Sequence, residues 1–239
     1  MVMAEMKEKM NVTVITGGAG GLGSQLAREA MCRGKHVIIA GRDDKRLNAV
    51  SESLQKSGLK GSVIPFRCDI TNQDDIDNLA EFLVSEGKNV EYLFNNAGAG
   101  YFRNANENRS PDVQNIIGSS LTGMILLTSA VLNISSPDSR MTIVNVMSTS
   151  SLVGRATETV YCAAKWGARG FTEALRAELK GSGKRVIAVY PGGMKTPFWD
   201  NEERDISTFM DPANVASQIA TAVFDAEYIY VSDITIVRP

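Results

Sequence analysis

Tyr161 and Lys165 stand four residues apart in a stretch of helical period, so both side chains lie on one helix face. A phenol beside an ammonium can exchange a proton with a bound oxygen, because the cation favours the phenolate and lowers a pKa that is otherwise about 10. The spacing alone is weak support, since tyrosines and lysines fall four apart by chance in many chains. Ser148 sharpens it. It lies thirteen residues before Tyr161 and just past the apolar run Met141 to Val146, where a hydroxyl can reach the same oxygen. A hydride arriving at a carbonyl carbon leaves negative charge on oxygen, and this trio offers the hydrogen bond and the transferable proton that the charge requires.

The second cluster is Thr16-Gly-Gly-Ala-Gly-Gly-Leu-Gly23, between the β-branched run Val12 to Thr16 and a helical stretch. Glycines there let backbone N–H groups and a helix N-terminus approach a pyrophosphate, as a dinucleotide site requires. A flexible turn is the plain alternative, and the position at a strand-to-helix junction favours the dinucleotide. About twenty residues on, where an NAD(H) site puts an acid on the ribose 2′-hydroxyl, the sequence reads Ala40-Gly41-Arg42. Arg42 can pair with a 2′-phosphate, which favours NADP(H) over NAD(H). Two readings compete with this: an exposed arginine at a strand end, or Asp43 or Asp44 reaching a ribose.

Composition narrows the chemistry. The chain has 239 residues, 25 Lys+Arg against 27 Asp+Glu, and a formal net charge of -2. That balance gives no bulk attraction to nucleic acid. With His36 as the single histidine, imidazole-based triads and most zinc sites are excluded, and no metal site is expected. Cys32, Cys68 and Cys162 form no C-x-x-C pair, which fits a reducing cytoplasm. Charges among the first ten residues break any signal-peptide run, and no stretch approaches 18 consecutive apolar residues, so no membrane partner is expected.

The elements that must position these groups follow from periodicity. Short apolar runs at 12–16, 36–40, 62–66, 90–94, 141–146, 185–190 and 228–231 alternate with helical stretches, among them about 112–132 and about 159–179. Strands apolar on both faces imply a buried parallel sheet, and the alternation implies an α/β, doubly wound Rossmann fold with helices on both faces. No linker divides the chain. The reading is an N-terminal extension over 1–10 and one domain over 11–239.

In this order the motifs TGGAGGLG at 16–23, CDIT at 68–71, NNAG at 95–98, Ser148, YCAAK at 161–165 and PGGMKT at 191–196 resemble the short-chain dehydrogenase/reductase family over nearly the whole chain. The resemblance implies that Gly17, Gly21, Leu22 and Gly23 hold the pyrophosphate side and that Asp69 and Ile70 flank the adenine. It also implies that Asn95, Ala97 and Gly98 line the cofactor crevice, that Pro191 and Gly192 bind the cofactor, and that Thr196 sits by the nicotinamide carboxamide. Tyr161 would be the acid/base, Ser148 would orient the carbonyl, and Lys165 would bind the ribose and tune the phenol. The family usually carries an Asn three residues ahead of a Gly in the preceding helix, where it holds a water that relays protons; this chain has Ser120 before Gly123. A hydroxyl can bind a water but cannot copy an amide.

The expected activity is NADP(H)-dependent reduction of a carbonyl compound, or oxidation of the matching alcohol. Pro197, Phe198, Trp199, Phe209 and Met210 suggest a lid at about 194–210 over an apolar substrate, with Tyr101 and Phe102 as the opposite wall. Ordinary surface packing is the alternative for that segment. Two other functions remain open: a 3-oxoacyl-[acyl-carrier-protein] reductase, although Asn133 to Arg140 lacks a basic cluster, and a regulatory protein that binds NADP(H) without turnover. The family resemblance implies a homodimer or homotetramer, and apolar helices around Gly118 to Leu132 and Ala163 to Leu179 lend it some support.

Overall fold

The computed structural model describes residues 10–226 and 228–239. The expected extension over 1–10 therefore lies outside the described residues, except that Met10 already opens the first strand. Seven parallel strands form one sheet: β1 (Met10–Thr16), β2 (His36–Gly41), β3 (Ser62–Arg67), β4 (Lys88–Asn95), β5 (Met141–Val146), β6 (Lys184–Pro191) and β7 (Asp233–Ile236). Their order is β3-β2-β1-β4-β5-β6-β7, so the winding direction reverses between β1 and β4. That reversal opens a crevice at the carboxyl ends of the two strands.

Helices α1 (Gly21–Cys32), α2 (Asp44–Lys56) and α7 (Pro212–Phe224) cover one face. Their buried side chains include Leu26 and Ala30 of α1, Leu47 of α2 and Ile219 of α7, all in one core with Ile15 and Val144 of the sheet. The other face carries α3 (Gln73–Ser85), α4 (Ser110–Ile117), α5 (Gly123–Ile134) and α6 (Thr159–Glu178). There Ile76, Leu79 and Leu83 of α3, Leu127 and Val131 of α5 and Leu175 of α6 pack on Val14, Leu93 and Ile143. Both faces of the central strands are thus dry, which is why they read as unbroken apolar runs.

One expectation changes. The final strand is Asp233–Ile236 rather than 228–231. Tyr228 and Ile229 stand exposed, whereas Ile234 and Ile236 pack on the core, and the Tyr230 hydroxyl donates to the Val186 carbonyl at 2.6 Å. Only the second run presents alternate apolar side chains to the sheet edge. The helical stretch expected at about 112–132 is present over residues 110–134, where α4 and α5 join through a π-turn over Gly118–Thr122 into one helix. By length and composition that helix is apolar enough to cross a membrane, although no single run announced it. Its apolar side is used within the fold: Met124, Leu127 and Val131 are each at most 2% exposed.

Candidate active site

Because all strands are parallel, the loops after β1, β4, β5 and β6 meet at one edge of the sheet and enclose a cleft of about 1240 Å³. The loop after β1 is the Gly-rich one. Gly17 has φ +63°, which favours glycine, and a Cβ there would stand 3.0 Å from Ala97 Cα. At Gly21 a Cβ would run into the Thr196 side chain. Glycine is therefore required for the loops after β1, β4 and β6 to close on one another while the N-terminus of α1 faces the cleft. Gly17, Gly21, Leu22, Gly23, Ala97, Gly98, Pro191, Gly192 and Thr196 all line it.

Asn95 does not, contrary to the expectation. It is 2% exposed, and its Nδ2 donates to Thr128 Oγ1 at 2.9 Å and Asn145 Oδ1 at 2.8 Å. Successive strand residues face opposite sides, and the cleft falls to Asn96. The Asn96 side chain donates to the Thr16 carbonyl at 2.9 Å, while the Thr16 hydroxyl accepts from the backbone N–H of Asn96 and Ala97, each at 3.0 Å. Asn96 thus fastens the Gly-rich loop to the end of β4; the only signal for it was the second asparagine of the NNAG motif. Asp69 and Ile70 also lie outside the cleft lining. Asp69 accepts from the Thr71 N–H at 3.0 Å and its hydroxyl at 2.8 Å, and Ile70 is buried in the core beside α3 and α5.

At the far end of the crevice Arg42 is exposed, lines the cleft, and forms no ion pair among the described residues. Asp43 lines the cleft beside it, and its Oδ1 caps α2 by accepting the Arg46 N–H at 3.1 Å. That cap turns α2 so that Arg46 joins Arg42 along the cleft, a second cation that the sequence reading missed.

Ser148, Tyr161 and Lys165 converge on the cleft wall. Ser148 follows β5 in extended conformation, and its hydroxyl accepts the Ser150 N–H at 3.1 Å, starting a short turn over Thr149–Ser151. Tyr161 and Lys165 share the buried side of α6, with the ammonium 5.7 Å from the phenol ring centre. Lys165 Nζ donates to the Val146 carbonyl at 3.3 Å. Burial pushes the Tyr161 phenol above its ordinary value, the neighbouring Ser148 hydroxyl draws it partly back, and Glu158 raises it further. Burial brings the Lys165 ammonium down to about 8. The phenol is thus raised, not lowered as expected: loss of water dominates, and among the protein's own groups the lowering comes from Ser148 rather than Lys165. Ser120 is fully buried in the π-turn beneath the cleft floor; its hydroxyl donates to the Ala99 carbonyl at 3.4 Å. A Cβ on Gly98 would stand 3.1 Å from Ser120 Oγ and 3.4 Å from Lys165 Nζ, so the two groups flank the same glycine. The single histidine is remote, paired with Ser62 at the amino end of β2.

Beyond the trio the cleft becomes aromatic. The segment Met194 to Met210 leaves and returns through a bridge between those two residues, and it lays Phe198 and Trp199 against Phe102. Phe102 stacks on Trp199 at 5.0 Å and meets Tyr161 edge-on at 5.5 Å.

The short chain dehydrogenase family model matches residues 11–207. This chain belongs to that family. As a short-chain dehydrogenase it is an oxidoreductase by class. It is 34% identical over 194 residues to an uncharacterized oxidoreductase of Myxococcus xanthus, an alignment covering 81% of this chain and 75% of the other. A short-chain dehydrogenase/reductase from Vibrio parahaemolyticus has 32% identity and a TM-score of 0.83, with 95% of this chain and 97% of that one covered. A single-residue variant of the actinorhodin polyketide ketoreductase, solved with NADPH, has 25% identity and a TM-score of 0.84, with 95% of each chain covered. For this short-chain dehydrogenase, then, the parallel sheet and the Gly-rich crevice are the frame on which Ser148, Tyr161 and Lys165 meet.

Proposed function

We propose that the protein reduces an apolar carbonyl compound, or oxidises the matching alcohol, with NADP(H) as cofactor. The observation that carries this reading is the meeting of Ser148, Tyr161 and Lys165 on the wall of the same cleft whose other side is the Gly-rich loop. The fit to a dinucleotide is supported by Gly17 and Gly21, where a side chain would push the enclosing loops apart, and by the N-terminus of α1 behind them. Arg42 and Arg46 suit a 2′-phosphate, and the ketoreductase relative solved with NADPH supports the same choice. When bound, NADPH supplies the hydride.

The chain's own groups do the rest. Ser148 hydrogen-bonds the carbonyl oxygen and orients it. Tyr161, held protonated at neutral pH by its buried setting, donates the proton as charge develops on that oxygen. Lys165 holds the ribose hydroxyls and keeps a positive charge beside the phenol, so the alkoxide and phenolate forms cost less. Ser120, across Gly98 from Lys165, holds the proton-relay water in place of the family's asparagine. The segment 194–210 acts as a lid whose aromatic residues exclude water from the reacting oxygen. Free thiols at Cys32, Cys68 and Cys162 suit a cytoplasmic setting. Exposed Leu152, Val153 and Trp166 support pairing with further copies of the chain, which light scattering at micromolar concentration checks.

The deciding experiment follows NADPH oxidation, by the near-ultraviolet absorbance of the reduced nicotinamide, against a panel of aromatic and aliphatic ketones and aldehydes. Turnover of apolar members supports the reading. Tight NADPH binding with no turnover on any member would make the protein a sensor.

A further inference from the structure

Glu158 is a buried carboxylate in the wall of the cleft, 6% exposed, and the mechanism above does not use it. A buried acid needs partners, and Glu158 has two from different parts of the chain. Ser150 Oγ donates to its Oε2 at 2.7 Å. Arg204, from the lid, brings Nη1 to 3.6 Å of its Oε1. The same guanidinium lies over the rings of Phe102 and Trp199, at 5.1 Å and 5.0 Å, so it ties the lid both to the acid and to the aromatic wall.

The Ser150 contact reaches the reacting groups. Ser150 donates its backbone N–H to the Ser148 hydroxyl at 3.1 Å, which leaves that hydroxyl's proton free to face Tyr161 and the substrate oxygen. Glu158 is also three residues before Tyr161, at the N-cap of the same helix, and its charge is felt at the phenol. The backbone is bent to bring it there. Thr157, just before it, has φ +64°, the single non-glycine residue with positive φ among the described residues. A β-branched residue in that region is strained, and the Thr157 carbonyl is held by the Arg103 N–H at 2.8 Å.

We propose that Glu158 is a positioning residue that couples the lid to the catalytic turn: one oxygen fixes the turn carrying Ser148 through Ser150, and the other draws in Arg204. Lid closure and the aim of the Ser148 hydroxyl then depend on one carboxylate. This rests on the carbonyl-reductase reading, and it also predicts local order that can be read without turnover.

The test compares Glu158→Ala, Glu158→Gln, Ser150→Ala and Arg204→Ala with wild type by hydrogen exchange over 148–152 and 199–206, and by kcat and KM on an active ketone. Glu158→Ala should speed exchange in both segments. Ser150→Ala should loosen only the turn, and Arg204→Ala only the lid. Glu158→Gln, whose amide oxygen still accepts from Ser150, should restore protection to the turn but not to the lid. In turnover, Glu158→Ala and Ser150→Ala should lower kcat at least about tenfold, the scale of one hydrogen bond to a charged group. Arg204→Ala should raise KM about threefold while sparing most of kcat, as for a half-exposed ion pair. NADPH affinity should be unchanged in all four. Glu158→Ala with both segments protected as in wild type would overturn the proposal, as would Glu158→Gln failing to restore the turn. If wild type reduces no ketone, the function reading fails while the exchange pattern still decides the coupling.

Discussion

Lys165 Nζ donates to the carbonyl oxygen of Val146 at 3.3 Å, which fastens the ammonium of α6 to the end of β5, two residues before Ser148. Its setting is otherwise dry, with 3% exposure, and this brings its pKa down to about 8. The cation is complete well below that value and lost above it. Tyr161 is shifted the other way and stays protonated across the same range. Carbonyl reduction should therefore show a descending limb in kcat/KM near pH 8, falling about tenfold per pH unit above it as one proton is lost. A flat profile up to about pH 10, measured at saturating NADPH, would mean that the ammonium does not titrate in the working enzyme. Lys165→Ala should weaken NADPH binding and turnover together.

Tyr161→Phe keeps the ring that packs edge-on against Phe102 at 5.5 Å and removes only the hydroxyl. NADPH affinity, read by fluorescence titration, should stay within about twofold, because no protein packing is lost. Carbonyl reduction should fall at least about a hundredfold, the usual scale of general acid catalysis. Wild-type activity in this variant would place the proton donor elsewhere.

Cofactor choice should rest on Arg42 and Arg46 together. Arg42→Ala should narrow the ratio of NADH to NADPH dissociation constants, and Arg42→Ala with Arg46→Ala should abolish it, since each guanidinium can pair with the 2′-phosphate. Gly41→Asp tests the same point by repulsion. A Cβ at Gly41 would meet only Leu47, at 3.6 Å, so the acid fits and should turn the preference toward NADH. An unchanged ratio in the double variant would assign the 2′-position to another group.

Ser148, Tyr161 and Lys165 were legible in the sequence because the strand end and the helix that carry them are adjacent in the chain, so their spacing is local. Asn95 and Asn96 were not, because choosing between neighbours at a strand end needs the face each presents. The final strand was misplaced for a related reason: the run 228–231 is the more apolar of the two, and only packing on the sheet edge selects 233–236. Arg204 and Glu158 are far apart in sequence and meet only through the returning lid, so no motif could have paired them. Asp69 and Ile70 came from the resemblance alone, and the cleft lining omits them.

Ser120→Asn examines the departure from the family pattern. Ser120 lies in the π-turn with its hydroxyl on the Ala99 carbonyl, beside the same glycine as Lys165. An amide there offers donors and an acceptor at once and holds a relay water in a more fixed geometry. Turnover should rise while NADPH affinity stays the same; a fall in turnover with unchanged thermal stability would show that the hydroxyl is the better fit for this relay.

The buried amide pair under the site should govern stability rather than chemistry. Asn145 faces Asn95 across β5 and β4, and its Nδ2 donates to Thr172 Oγ1 of α6 at 2.9 Å, which in turn donates to the Ala168 carbonyl at 2.7 Å. Asn145→Leu is nearly the same size, yet it leaves one N–H of the Asn95 amide without its acceptor and removes a donor to Thr172. The expected loss is about 2 kcal/mol, with Tm lowered by roughly 4–8 °C for a chain of this length. Asn95→Leu combined with Asn145→Leu removes donor and acceptor together, so the double variant should lose less than the sum of the two single variants, by about 1 kcal/mol or more. Strictly additive losses in urea unfolding would mean that the two amides act separately.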